Sequence, residues 1–197
     1  MRRFAGFCLG VMVLLVSAGA YAVDPASVPK AKQTKPGLYL TARETMELVG
    51  KNPSGVLFLD VRTPAEVMFI GMPTSADANV PYMLTPEFPV WDAAKSTLKL
   101  EANPDFVAAV RRRLAAKGLT PDSPVVLMCR SGDRSAAAVN LLADSGFKTV
   151  YTVVDGFEGD VAKDGPTAGQ RTVNGWKNAG LPWSFKLDKA KMYRLDD

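Results

Sequence analysis

Pro124-Val125-Val126-Leu127-Met128-Cys129-Arg130-Ser131-Gly132-Asp133-Arg134-Ser135-Ala136-Ala137-Ala138-Val139-Asn140-Leu141-Leu142 is the stretch on which the reading of this chain turns. Its first five residues form an apolar run, the pattern of a parallel strand buried on both faces. Its last seven read as a helix. The loop between them carries one cysteine, two arginines and a glycine. Helix N-terminal amides favour a thiolate over a thiol, and Arg130 and Arg134 push the same way. The only other cysteine, Cys8, lies in a segment that reads as removable. Cys129 is then a lone reactive thiol and not part of a disulfide framework.

Outward from this stretch, strands alternate with helices. Val56-Leu57-Phe58-Leu59-Asp60-Val61 is a second run of the buried-strand type, and residues 149–154 form the last strong strand. Leu38-Tyr39-Leu40 and part of 76–82 are short extended segments. Thr41 with Glu44 three residues on predicts a capped helix to about Lys51, whose apolar face is Met46, Leu48 and Val49. Thr63-Pro64-Ala65-Glu66 opens a short helix with Pro64 in its first turn. Asn103-Pro104-Asp105 starts a third, carrying Phe106, Val107, Val110 and Leu114 at helical spacing and ended by Gly118. The helix after the cysteine loop runs to about Ser145. This order predicts an α/β domain with a mostly parallel central sheet flanked by helices. Ligands in such sheets bind beyond the carboxyl ends of strands, where Cys129 stands.

Two stretches break the alternation. Residues 83–100, with Pro86, Pro89 and Trp91, read as an irregular surface excursion, and 155–175 as a long loop or partly mobile insertion. The division is a signal segment at 1–22, a flexible leader at 23–37, a domain at 38–185 and a tail at 186–197. Arg111-Arg112-Arg113 reads as a solvated helix face, and Trp91, Trp176 and Trp183 as packing residues. Phe157 and Glu158 follow the last strand and are placed to flank the loop.

Arg2 and Arg3, the apolar run 4–16 and Ala20-Tyr21-Ala22 have the form of a cleaved export signal, which predicts a periplasmic or secreted protein. The other reading is a retained anchor, because 4–23 carries no charge and nears the roughly 20 residues a spanning helix needs. Cleavage after Ala22 leaves 175 residues, enough for one well-cored domain, and loss of Arg2 and Arg3 takes the formal charge from +4 to +2. A near-neutral chain has no electrostatic footprint for nucleic acid. There is no histidine, so imidazole general bases and histidine metal ligands are excluded. No metal site or other cofactor is indicated.

Between Cys129 and Ser135 the main chain must turn around the sulfur. Successive amides in such a turn form a nest for an anion, and Gly132 permits the backbone angles. Arginine suits oxyanions through paired donors. With no histidine, the nucleophile is activated by its surroundings alone. Phosphatases with a cysteine cradle place five residues between Cys and Arg. Here Arg134 follows Cys129 after four, and Ser135 occupies the phosphatase position. A shorter cradle suits a single sulfur atom better than a tetrahedral phosphate.

The loop Cys129–Ser135 resembles the active-site loop of single-domain bacterial rhodaneses. Leu59-Asp60-Val61-Arg62-Thr63-Pro64-Ala65-Glu66 is similar to their other hallmark, and Asn79-Val80-Pro81 to their Asn-Ile-Pro segment. Asp155-Gly156-Phe157, Trp176 and Gly180-Leu181-Pro182 match their ending. The departures are Gly71-Met72-Pro73 in place of Gly-His-Ile, the acidic Asp133 in the loop, and the length of 155–175. The resemblance implies a three-layer rhodanese-like fold and a sulfurtransferase without a cofactor. Cys129 would take the outer sulfur of thiosulfate or a similar small anion, and pass it to a thiol or cyanide. Arg130 and Arg134 would bind the donor's oxyanion or shape the loop. Ser131, Gly132, Asp133 and Ser135 would supply backbone donors, and Asp60 and Arg62 would orient the loop. The alternatives are a periplasmic carrier that holds a persulfide for a partner protein, and a small phosphatase or arsenate reductase.

Overall fold

Parallel pairing of the two long apolar runs organises the molecule. The computed structural model describes residues 23–195, so Cys8 and the segment 1–22 lie outside the described residues. In chain order the elements are β1 (Tyr39–Leu40), α1 (Ala42–Lys51), β2 (Leu57–Asp60), α2 (Pro64–Ile70), β3 (Met72–Pro73) and β4 (Ala78–Asn79). Then come β5 (Met83–Leu84), β6 (Trp91–Asp92), β7 (Thr97–Leu98), β8 (Glu101–Ala102) and α3 (Phe106–Ala116). The chain continues through β9 (Val125–Met128), α4 (Asp133–Asp144), β10 (Val150–Val153) and β11 (Trp183–Ser184). The central sheet runs β1-β10-β9-β2-β4, all parallel, with Asp60 opposite Met128. Among the described residues no helix is long and apolar enough to cross a membrane.

The side-chain period of two divides the core. Leu57, Leu59, Val125 and Leu127 pack with Phe106, Val110 and Leu114 of α3 and Val139 and Leu142 of α4. Phe58, Val126, Met128 and Val153 pack on the other face with Val49, Val67 and Trp176. That is why both runs are apolar without alternation: each residue faces a helical layer. Full burial of one such side chain contributes about 1.5–3 kcal/mol. Local signals set the helix starts. Thr41 with Glu44 and Thr63 with Glu66 each form a complete capping box, and Gly71 ends α2 at φ 90°.

The polar margins are more ordered than composition alone implies. Residues 23–37, expected as a flexible leader, dock on the domain: Val28 and Lys32 are buried. Lys32 Nζ donates to the Val154 carbonyl at 2.9 Å and to Asp160 at 2.7 Å. Lys35 pairs with Asp144, and its amide donates to Asn140. The tail also docks. Met192 is buried, Lys191 donates to the Thr74 and Ala76 carbonyls, and Arg113 donates to those of Ala190 and Met192. The packed unit thus exceeds the expected 38–185 at both ends, because basic side chains find carbonyl and carboxylate acceptors far away in sequence.

The two excursions also have structure. In 83–102, β5 pairs with β8 and β6 with β7, both antiparallel. Trp91 on this arm is 60% exposed, so it does not pack as expected, whereas Trp176 is fully buried against Phe58. The 155–175 segment is a hydrogen-bonded hairpin closed by a Val161–Arg171 bridge and an Asp160–Asn174 pair, and not a loose insertion.

Candidate active site

Cys129 leaves the carboxyl end of β9 and is only 1% exposed. Its sulfur accepts a hydrogen bond from the Gly132 amide at 3.2 Å. Gly132 is the N-cap of α4 with φ 100°, a left-handed conformation that glycine adopts without strain. A Cβ there would also collide with the Val154 carbonyl and the Lys32 side chain. The glycine therefore places an amide on the sulfur at the helix start.

The loop is anchored from outside. The Cys129 carbonyl accepts from the Phe157 amide at 2.8 Å, and the Arg130 carbonyl from the amides of Glu158 (2.9 Å) and Gly159 (3.2 Å). Phe157 thus supports the loop through its main chain. Ser135 Oγ donates to the Gly132 carbonyl and shares a 2.8 Å hydrogen bond with Thr152, so its side chain faces the sheet. Ser131 is buried, and Asp133 is exposed in the first turn of α4. The Asp155 carboxylate accepts from the Ala42 amide at 2.9 Å, holding the start of α1. Burial pushes Asp155 up from its ordinary range, against that bond and others from its own and the Gly175 amide.

The three arginines of the predicted site divide sharply. Arg62 is wholly buried and grips Asp60 in paired hydrogen bonds, the shortest 2.6 Å. It also donates to the Gly71 carbonyl at 2.7 Å and lies 3.9 Å over the Phe157 ring. Asn79 ties this node by donating to the carbonyls of Asp60 and Arg62. Arg134 makes a two-pronged pair with Glu66 at 2.6 and 2.7 Å. Burial works against the Glu66 charge, but the Arg134 guanidinium and the Thr63 donors outweigh it and hold the carboxyl at about 2. Burial likewise opposes the Arg134 charge. The Glu66 hydrogen bonds and charge, with smaller contributions from Cys129 and Asp60, raise its pKa. Arg130 is exposed and, unlike Arg62 and Arg134, forms no ion pair among the described residues.

The structure therefore gathers Cys129, Arg130, Ser131, Gly132 and Asp133 at the loop. It turns Arg134, Asp60 and Arg62 toward holding β2 and α2 against it. Glu66 was legible as a helix cap through its spacing from Thr63, though its pairing with Arg134 was not. Lys32, against Gly132, had no sequence signal at all. A thiol in contact with a helix-start amide, followed by an arginine that has no ion pair among the described residues, can attack an electrophilic sulfur and bind an anion.

These features define a class: a parallel sheet covered on both faces that presents one thiol at its carboxyl edge, without imidazole. Residues 41–163 match the Rhodanese-like domain family, and the chain belongs to that family. Uncharacterized protein RP600 of Rickettsia prowazekii is 28% identical over 134 residues, which is 67% of this chain and 85% of the relative. Rhodanese-like domain-containing protein 17 of Arabidopsis thaliana is 34% identical over 105 residues, covering 53% and 57% of the two chains. The crystal structure of Rv0390 from M. tuberculosis superposes with a TM-score of 0.57 at 27% identity, covering 75% of this chain and 97% of that one.

Proposed function

We propose that this protein is a sulfurtransferase that carries a sulfane sulfur as a persulfide on Cys129. The observation that carries the reading is the Gly132 amide on the Cys129 sulfur at 3.2 Å, next in sequence to an arginine with no ion pair among the described residues. Membership in the rhodanese-like family supports the same chemistry. The Cys129 thiolate attacks the outer sulfur of thiosulfate. A new S–S bond forms to Cys129, the donor's S–S bond breaks, and its electron pair leaves with sulfite. A nucleophile such as a thiolate or cyanide then attacks the outer persulfide sulfur, and the Cys129 thiolate is released. Each step is thiolate–disulfide exchange in kind and needs no added oxidant or reductant. The Gly132 amide stabilises the thiolate before attack and after release.

The test is intact mass of reduced protein before and after thiosulfate, with Cys129→Ser in parallel. Gain of one sulfur atom by the parent alone supports the reading; no gain in folded, reduced protein removes thiosulfate as donor. Repeated turnover with cyanide separates an enzyme from a carrier that loads once. Export belongs to the proposal as well, on the residues of 1–22 alone, and is tested by N-terminal sequencing of protein recovered from the cell envelope.

A further inference from the structure

The 155–175 hairpin brings a second arginine to the loop. Arg171 Nη1 donates to the Gly159 carbonyl at 2.6 Å, and the Gly159 amide donates to the Arg130 carbonyl at 3.2 Å. Arg171 is thus pinned to Gly159, a residue of the segment that holds the cysteine loop. The hairpin itself is clamped. Asp160 binds buried Lys32 at 2.7 Å and the Asn174 side chain at 3.1 Å, and Asn178 donates to the Glu158, Arg171 and Asn174 carbonyls. Arg171 is half-buried and uses one guanidinium nitrogen internally. Like Arg130, it forms no ion pair among the described residues. Residue 171 also lies beyond the span 41–163 shared with the family.

We propose that Arg171 is a specificity-determining residue of the sulfurtransferase site, forming with Arg130 a two-arginine subsite for the oxyanion end of the sulfur donor. Arg130 and Arg171 are tied to opposite sides of one residue, Gly159, and two such guanidinium groups without a carboxylate partner among the described residues repel each other, a repulsion that an anion bound by both relieves. The repulsion registers on Arg171: burial first and the Arg130 charge second lower its pKa, although Glu158, Asp160 and Asp133 act in the opposite direction. Of these acids Asp160 is committed to Lys32, and Glu158 and Asp133 attract from beyond ion-pair distance. The site then favours donors ending in a sulfonate-like group, such as thiosulfate, over neutral polysulfides. This deepens the sulfurtransferase reading and rests on it.

The experiment compares the full chain with Arg171→Gln and Arg171→Lys. Reaction at Cys129 is followed by intact mass against rising thiosulfate, read as gain of one sulfur, and, separately, against a neutral dialkyl trisulfide, read as the alkyl disulfide or trisulfide adduct left when the alkyl persulfide or alkyl thiolate departs. Calorimetry of thiosulfate binding to Cys129→Ser, with and without Arg171→Gln, reads the subsite without chemistry. Loss of one charge-assisted contact is expected to raise the thiosulfate needed for half-loading, and the dissociation constant, about tenfold in Arg171→Gln. Arg171→Lys falls between, and trisulfide loading is unchanged. Equal thiosulfate responses of parent and Arg171→Gln overturn the inference and leave the sulfurtransferase reading standing. Parallel loss with both donors also overturns it, since that marks a structural role. Arg171-dependent binding to Cys129→Ser, with no loading of the parent, keeps the subsite and sinks the sulfurtransferase reading.

Discussion

Arg62 and Arg134 carry the same charge as Arg130 and Arg171 but spend it differently. The first two grip Asp60 and Glu66 in two-pronged pairs, one fully buried and one mostly so. The second two form no ion pair among the described residues. A buried guanidinium must be paired, because the desolvation cost of a lone charge exceeds what folding can spare. Arg62 and Arg134 are therefore committed to the fold, and under the proposed function Arg130 and Arg171 are the pair left for an anionic donor. Variants at the two sets should separate stability from anion recognition.

The largest effect is expected at Arg62. Arg62→Ala leaves Asp60 buried without its counter-charge, at a cost of about 3–5 kcal/mol in denaturant unfolding. An unchanged midpoint would show that Asp60 is neutral or hydrated. Next is Glu66, whose carboxyl sits at about 2 in the folded protein against an ordinary 4.5. That depression corresponds to on the order of 3 kcal/mol at neutral pH. Because the folded value is the lower one, this stability is fully present above 4.5 and disappears as pH falls toward 2. Glu66→Gln should lose it at neutral pH and show a flatter acid limb. Parallel acid limbs for the two proteins would break the assignment.

A smaller loss is expected for Lys32→Met. Asp160 keeps Asn174 and partial solvent access, so the cost is about 1–2 kcal/mol, with faster proteolysis within 23–37. Resistance equal to the parent would mean that the N-terminal stretch is held without this pair. The smallest stability effect belongs to Arg130→Gln, within about 0.5 kcal/mol of the parent as for an ordinary surface site. Its thiosulfate half-loading concentration should nevertheless rise about tenfold. A large stability loss there would erase the contrast between the two sets.

Much of the fold was legible because its signals are local. The capping boxes at Thr41 and Thr63 span three residues, and the runs at 56–61 and 124–128 announce strands without reference to anything distant. The cysteine loop was legible for the same reason. Which arginine of that loop is committed to a carboxylate was not. Arg130 and Arg134 look alike in a seven-residue motif, and only the Glu66 carboxylate, 68 positions away, distinguishes them. The polar stretches 23–37 and 155–175 misled for the same cause: neither has an apolar period, and their order comes from hydrogen bonds and ion pairs such as Lys32–Asp160 and Lys35–Asp144 that join residues distant in sequence.

By itself the sequence determined the alternation of strands and helices, the starts of the first three helices, and a lone thiol at a strand–helix junction. These follow from side-chain periodicity and capping, which act within a few residues. The fourth helix, α4, starts instead at Asp133, three residues before the expected Ala136, because Gly132 caps it inside the loop. The tertiary structure decided the partners of the charges. Pairing β2 beside β9 sets Asp60 opposite Met128 and brings Glu66 to Arg134. Packing of the leader brings Lys32 to Asp160 across 128 positions. Ion pairs depend on which chain ends the sheet order makes neighbours, and no local pattern encodes that.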